Sequence, residues 1–140
     1  MGLGLGNGAG GALSQRLCEE ILGRLVERGV RTLLFFPLSQ GRLVGRLKRS
    51  YGNHVLPVAE DDMTTVAALL QGCEVLISGN TDLLHLGISL HMPTVGLFDQ
   101  DPRRWVAPDS TSVRVVHCSD LGSLSVSQVV GPVEQVLSHR

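Results

Sequence analysis

The chain has 140 residues, a net charge of −1 and an apolar fraction of 43%. That length suits one domain, residues 1–140, with a core of its own, and the near-neutral charge gives no broad electrostatic ground for nucleic acid or an anionic membrane as partner. No apolar run reaches the ~18 residues of a transmembrane helix, and the first residues lack the charged start and long apolar core of a signal peptide.

Cys18, Cys73 and Cys118 are scattered and lack CxxC spacing. Reduced thiols in a cytoplasmic protein are therefore expected, rather than a disulfide. The five histidines form no HxxxH or HxH pattern, so no metal site is expected.

The chain opens with MGLGLGNGAGG, a thin first strand running into a glycine loop. Gly6-Asn7-Gly8-Ala9-Gly10-Gly11 matches GxGxxG by letter. A dinucleotide fingerprint also needs an acid at the end of the second strand, to hold a ribose hydroxyl. The second strand here, residues 32–36, is followed by Pro37-Leu38-Ser39 with no acid, so a nicotinamide site is not expected. No GxxxxGK[ST] is present, which excludes P-loop chemistry. The loop holding Gly8, Gly10 and Gly11 is then a tight strand-to-helix turn or a set of N–H donors facing a diphosphate.

Ser14 can cap a helix running to about Arg28, with Leu17, Ile21, Leu22 and Leu25 as its apolar stripe and Gly29 as its stop. Residues 41–51 form a basic amphipathic helix through Arg42, Arg46, Lys48 and Arg49. A solvated face explains it most simply; acidic lipid head groups or a partner domain are the alternatives. Residues 54–58 suit a third strand, and Asp61 or Asp62 can cap a helix over residues 63–72.

The most informative stretch is EVLISGNTDLLHLGISLHMPTVGLF, residues 74–98. Val75-Leu76-Ile77 has no polar face, as in a strand covered on both sides. Residues 78–82 are turn and N-cap types, a helix follows, and Pro93 stops it before a strand at residues 94–98. The polar turn then lies at the carboxyl end of a strand and the N-terminus of a helix, where open α/β sheets bind ligands and phosphate finds free N–H groups. His85 falls one helical turn after Thr81, on the same face. Trp105, in a polar loop, is a surface cap or a wall of the ligand cleft. Residues 113–116 suit a last strand and residues 126–137 a closing helix, which Gly131-Pro132 should kink or split. Strands alternating with helices predict an α/β fold: a Rossmann-like, mainly parallel sheet with helices on both faces.

Residues 78–108 also resemble the signature of family 9 glycosyltransferases, the lipopolysaccharide heptosyltransferase group. Asn80, Thr81, His85, Pro93, Thr94, Val95, Phe98, Asp101, Pro102, Trp105 and Pro108 fall in register with it. The resemblance covers the C-terminal, donor-binding half of such a GT-B enzyme. It implies a nucleotide-sugar substrate, ADP-linked among the choices, no separate cofactor, a role in lipopolysaccharide biosynthesis, and a cytoplasmic location peripheral to the inner membrane. It implies donor contacts at Gly8, Gly10, Gly11, Asn80, Thr81, Asp82 and His85. It also implies an acceptor-binding domain or chain, since in the family the other half supplies acceptor contacts and the candidate base.

Two positions depart from the signature. The family's acid is Asn80, and its glycine is Asp82, which sets a carboxylate where a phosphate should approach. The alternative is therefore a non-catalytic GT-B-like module serving contacts with another domain or protein. A flavodoxin-like or receiver-type domain ranks last, because the acids expected at the end of the first strand are absent.

Overall fold

The computed structural model describes residues 1–4, 15–79, 81–99, 103, 106, 112–118 and 124–138. Within them the strands are β1 (Gly2–Gly4), β2 (Thr32–Phe36), β3 (Val55–Ala59), β4 (Leu76–Gly79), β5 (Thr94–Phe98) and β6 (Val113–His117). The helices are α1 (Gln15–Glu27), α2 (Gly41–Tyr51), α3 (Met63–Gln71), α4 (Asp82–Ser89) and α5 (Val126–Ser138). The expected bounds hold to within about two residues.

Every neighbouring strand pair is parallel, and the sheet runs β3-β2-β1-β4-β5-β6. The first three strands step outward in one direction. The chain then returns past β1 and steps out the other way. The reversal falls between β1 and β4, where Leu3 is level with Ile77.

Both faces of the sheet are covered, so its strands need no polar face. The period-two alternation sends successive residues to opposite layers. Leu34 and Ile77 join the cluster under α1, α2 and α5, with Leu17, Ile21, Leu47 and Val129. Phe35 and Leu76, their chain neighbours, join Val66 and Leu70 of α3 and Leu83 of α4 on the other side. Apolar runs such as Leu33-Leu34-Phe35 thus serve two cores at once.

Local chemistry sets the element ends. Asp62 caps α3, its side chain accepting from Thr64 N (3.1 Å) and Thr65 Oγ1 (2.9 Å). Gly29, beyond α1, takes φ +73°, a region costly for any residue with a Cβ. On α2, Val44 and Leu47 are buried while Arg42, Arg46 and Arg49 face solvent. Lys48 turns back instead, donating to Gly52 O and Val55 O at 2.9 Å each. The thiols are free, with Cys18 fully buried.

Of the kink or split expected at Gly131-Pro132, the split is absent: Pro132 lies inside one continuous helix. Val129, Val130 and Val133 are buried on either side of it, and their packing holds the helix through the lost N–H bond.

Candidate functional site

The reversal between β1 and β4 places a crevice at their carboxyl ends, the usual ligand position in an open α/β sheet. Three features converge there. β1 ends at Gly4, β4 ends at Gly79, and α4 begins beside both. Gly4 permits the approach: a Cβ at that position would lie 2.5 Å from Leu83 Cδ2 and 3.0 Å from Ser78 Oγ. Only a glycine lets the first turn of α4 settle over the end of β1.

Ser78 is fully buried, and its hydroxyl donates to Gly79 O at 2.9 Å. It lies 3.3 Å from Thr81 Oγ1, so the two hydroxyls share a hydrogen bond. Thr81 is the N-cap of α4 with extended backbone, φ −134° and ψ 174°, yet its side chain makes no capping bond. The α4 N-terminus keeps N–H groups that its own cap residue does not satisfy, carrying the positive end of a dipole worth roughly 0.5 charge.

Asp82 occupies the first position of α4 and is exposed. His85 follows one turn later, half-buried, its backbone N–H donating to Thr81 O at 3.3 Å. Thr81, Asp82 and His85 are therefore brought to one helix start. Asn80 and the loop with Gly8, Gly10 and Gly11 lie outside the described residues, as does Trp105.

Glu60, which the sequence did not single out, belongs to the same rim. It follows β3, and its backbone N–H donates to Phe36 O at 2.9 Å, binding the ends of β2 and β3 together. Burial, and then the negative charge of Asp82, push its carboxyl above the usual range. The signal that could have found it was positional: an acid directly after the third strand, one strand beyond where the fingerprint seeks it. Among the described residues no cluster of histidine, cysteine or carboxylate side chains could hold a metal ion. A cavity of about 450 Å³ opens elsewhere, at the amino ends of β2 and β3, and takes no part in this crevice.

A family model for glycosyltransferase family 9 (heptosyltransferase) matches residues 18–128. The chain belongs to glycosyltransferase family 9. Solved structures agree on the fold. ADP-heptose lipopolysaccharide heptosyltransferase II from E. coli superposes with a TM-score of 0.82 at 17% identity, over 99% of this chain and 46% of that one. The E. coli heptosyltransferase WaaC, solved with ADP, gives 0.82 at 19% identity, over 96% and 43%. A family 9 glycosyltransferase from Veillonella parvula gives 0.84 at 17% identity, over 99% and 46%. This family 9 chain thus spans less than half the length of the structures it matches. A comparison with curated protein sequences gives no match.

Proposed function

We propose that this family 9 domain binds the diphosphate of a nucleotide-sugar, ADP-heptose first among candidates, against the N-terminus of α4. A second, acceptor-binding half would close the cleft and bring the catalytic base. One observation carries this: Thr81 holds the N-cap of α4 while its hydroxyl, bonded at 3.3 Å to Ser78 and not to the helix, would have to turn from Ser78 to meet a phosphate. Glycosyl transfer leaves a negative charge on the departing diphosphate. Helix-terminal N–H groups and a hydroxyl, fixed beforehand, stabilise that charge without reorganising. His85, one turn on, would donate to the same phosphates. Glu60, at the end of β3, would face the nucleoside side. WaaC, a structural neighbour, is known with ADP bound, which supports adenosine as the nucleoside.

The family's setting would place the protein in the cytoplasm in lipopolysaccharide biosynthesis. Arg42, Arg46 and Arg49 on the open side of α2 would then face acidic lipid. No helix among the described residues is long and apolar enough to cross a membrane.

A second function, a non-catalytic module, is favoured by Asp82 and Glu60, which set two carboxylates on the rim a diphosphate must approach. A thermal-shift titration with ADP, UDP, GDP and CDP, with and without Mg²⁺, separates the two. A saturable rise with ADP is expected. A flat response to all four would overturn donor binding and leave the interaction module.

A further inference from the structure

We propose a second ligand site at the opposite end of the sheet, for a small phosphomonoester with an apolar body. The cavity of about 450 Å³ is lined by the first residues of β2 and β3, by the end of α2 and by the turn after α3. That volume falls within the range of small-molecule sites, roughly 300–1,000 Å³.

Its charge is one-sided. Among the described residues, Arg31, Lys48 and His54 line it, and no carboxylate does. The carbonyl ends of α2 and α3 reach this end of the sheet, and helix C-termini attract cations without any ligand. That accounts for Lys48, whose ammonium is bound to Gly52 O and Val55 O and still carries its charge at the cavity wall. It does not account for Arg31, which is exposed and whose guanidinium has no partner among the described residues. The two cations, Lys48 held in place and Arg31 free to turn, match the nearly double charge of a phosphomonoester, and the guanidinium fork fits its oxygens.

The floor supplies an independent observation. Thr32 lines the cavity and is 1% exposed, and its Oγ1 is the one buried side-chain polar atom among the described residues with no hydrogen-bond partner. Leaving a buried hydroxyl unpaired is costly, and nearly all such groups find a partner. A phosphate oxygen would be one. Leu33, Val55 and the half-exposed Leu56 form the wall on which an apolar body would rest.

This site does not depend on donor binding at α4, and the variants below keep the two apart. The test is a thermal-shift and calorimetric titration of the full chain with glucose 1-phosphate, phenyl phosphate and inorganic phosphate, against chloride at matched ionic strength. Phenyl phosphate should bind saturably and more tightly than inorganic phosphate. Arg31→Gln, a solvent-facing change, should weaken it about tenfold or more. Thr32→Val should also weaken it and should raise the melting temperature of the free protein, because the unpaired hydroxyl is gone. Thr81→Val, at the other end of the strands, should weaken ADP binding and leave phenyl phosphate binding as it is. Several results would overturn the proposal: no rise beyond chloride, equal binding of inorganic phosphate and the esters, indifference to Arg31→Gln, or loss of binding with Thr81→Val. A melting temperature lowered by Thr32→Val would remove the hydroxyl from the case.

Discussion

At the first position of α4, Asp82 has two opposed effects. Its carboxylate complements the positive helix end, which stabilises α4, and it repels a phosphate approaching the same N–H groups. Asp82→Gly should therefore lower the melting temperature of the free protein slightly. It should also tighten ADP binding about five- to tenfold, the factor for a like charge removed at contact range in a wet site. Calorimetric titration of both proteins checks it; unchanged or weaker binding would refute the repulsion. Glu60 extends the same electrostatics to pH. Burial first, and Asp82 second, raise its carboxyl above the ordinary 4.5. The folded state then holds that proton more tightly than the unfolded chain, so the contribution is full below 4.5 and is lost as pH climbs through the folded value. Glu60→Gln should match the parent at acid pH and exceed it above that window, by urea unfolding at a series of pH values. Asp82→Asn should narrow the difference without closing it, because burial remains. The sequence exposed Asp82 through its mismatch with the family signature. It hid Glu60, because that carboxyl matters only once β3 and α4 are brought to one rim.

Elements whose apolar pattern matched their environment were legible. The unbroken run Val75-Leu76-Ile77 announced a strand covered on both sides at β4, and the alternation of strand and helix announced a parallel sheet. The strand order was not legible, since nothing local says that β4 returns beside β1. Nor was the tight seat of α4, which depends on Gly4 meeting Leu83 from 79 positions away. α5 shows local chemistry being overruled. Gly131-Pro132 should break a helix, yet Val129, Val130 and Val133 dock it against the sheet. The helix is therefore carried by tertiary packing, and Gln128 O lacks the N–H that residue 132 would supply in an unbroken ladder. Pro132→Ala restores that donor and relieves the ring's clash. It should stabilise the protein by up to about 3 kcal/mol, seen as a higher urea midpoint at unchanged m-value. A lower midpoint would mean that the proline ring itself packs productively.

At the scale of the whole molecule, donor binding and global stability should be one linked quantity, and Cys18 reports it. The thiol is fully buried in the layer that joins α1, α2 and α5 to the sheet. Burial, and to a lesser degree Glu19, push it up to about 12. In the native state it has neither access nor thiolate character, so a thiol reagent reaches it only when the core opens. Cys73 and Cys118 are half-buried and should react through smaller openings. A ligand that binds only the folded state lowers the population of the globally open form by the factor 1 + [L]/Kd. With ADP at a hundred times its dissociation constant, labelling of Cys18 should slow roughly a hundredfold, while Cys73 and Cys118 slow less. Mass spectrometry after timed alkylation separates the three sites. If Cys18 slows only as much as the other two, the crevice at β1 and β4 is not coupled to the core that α1 and α5 close.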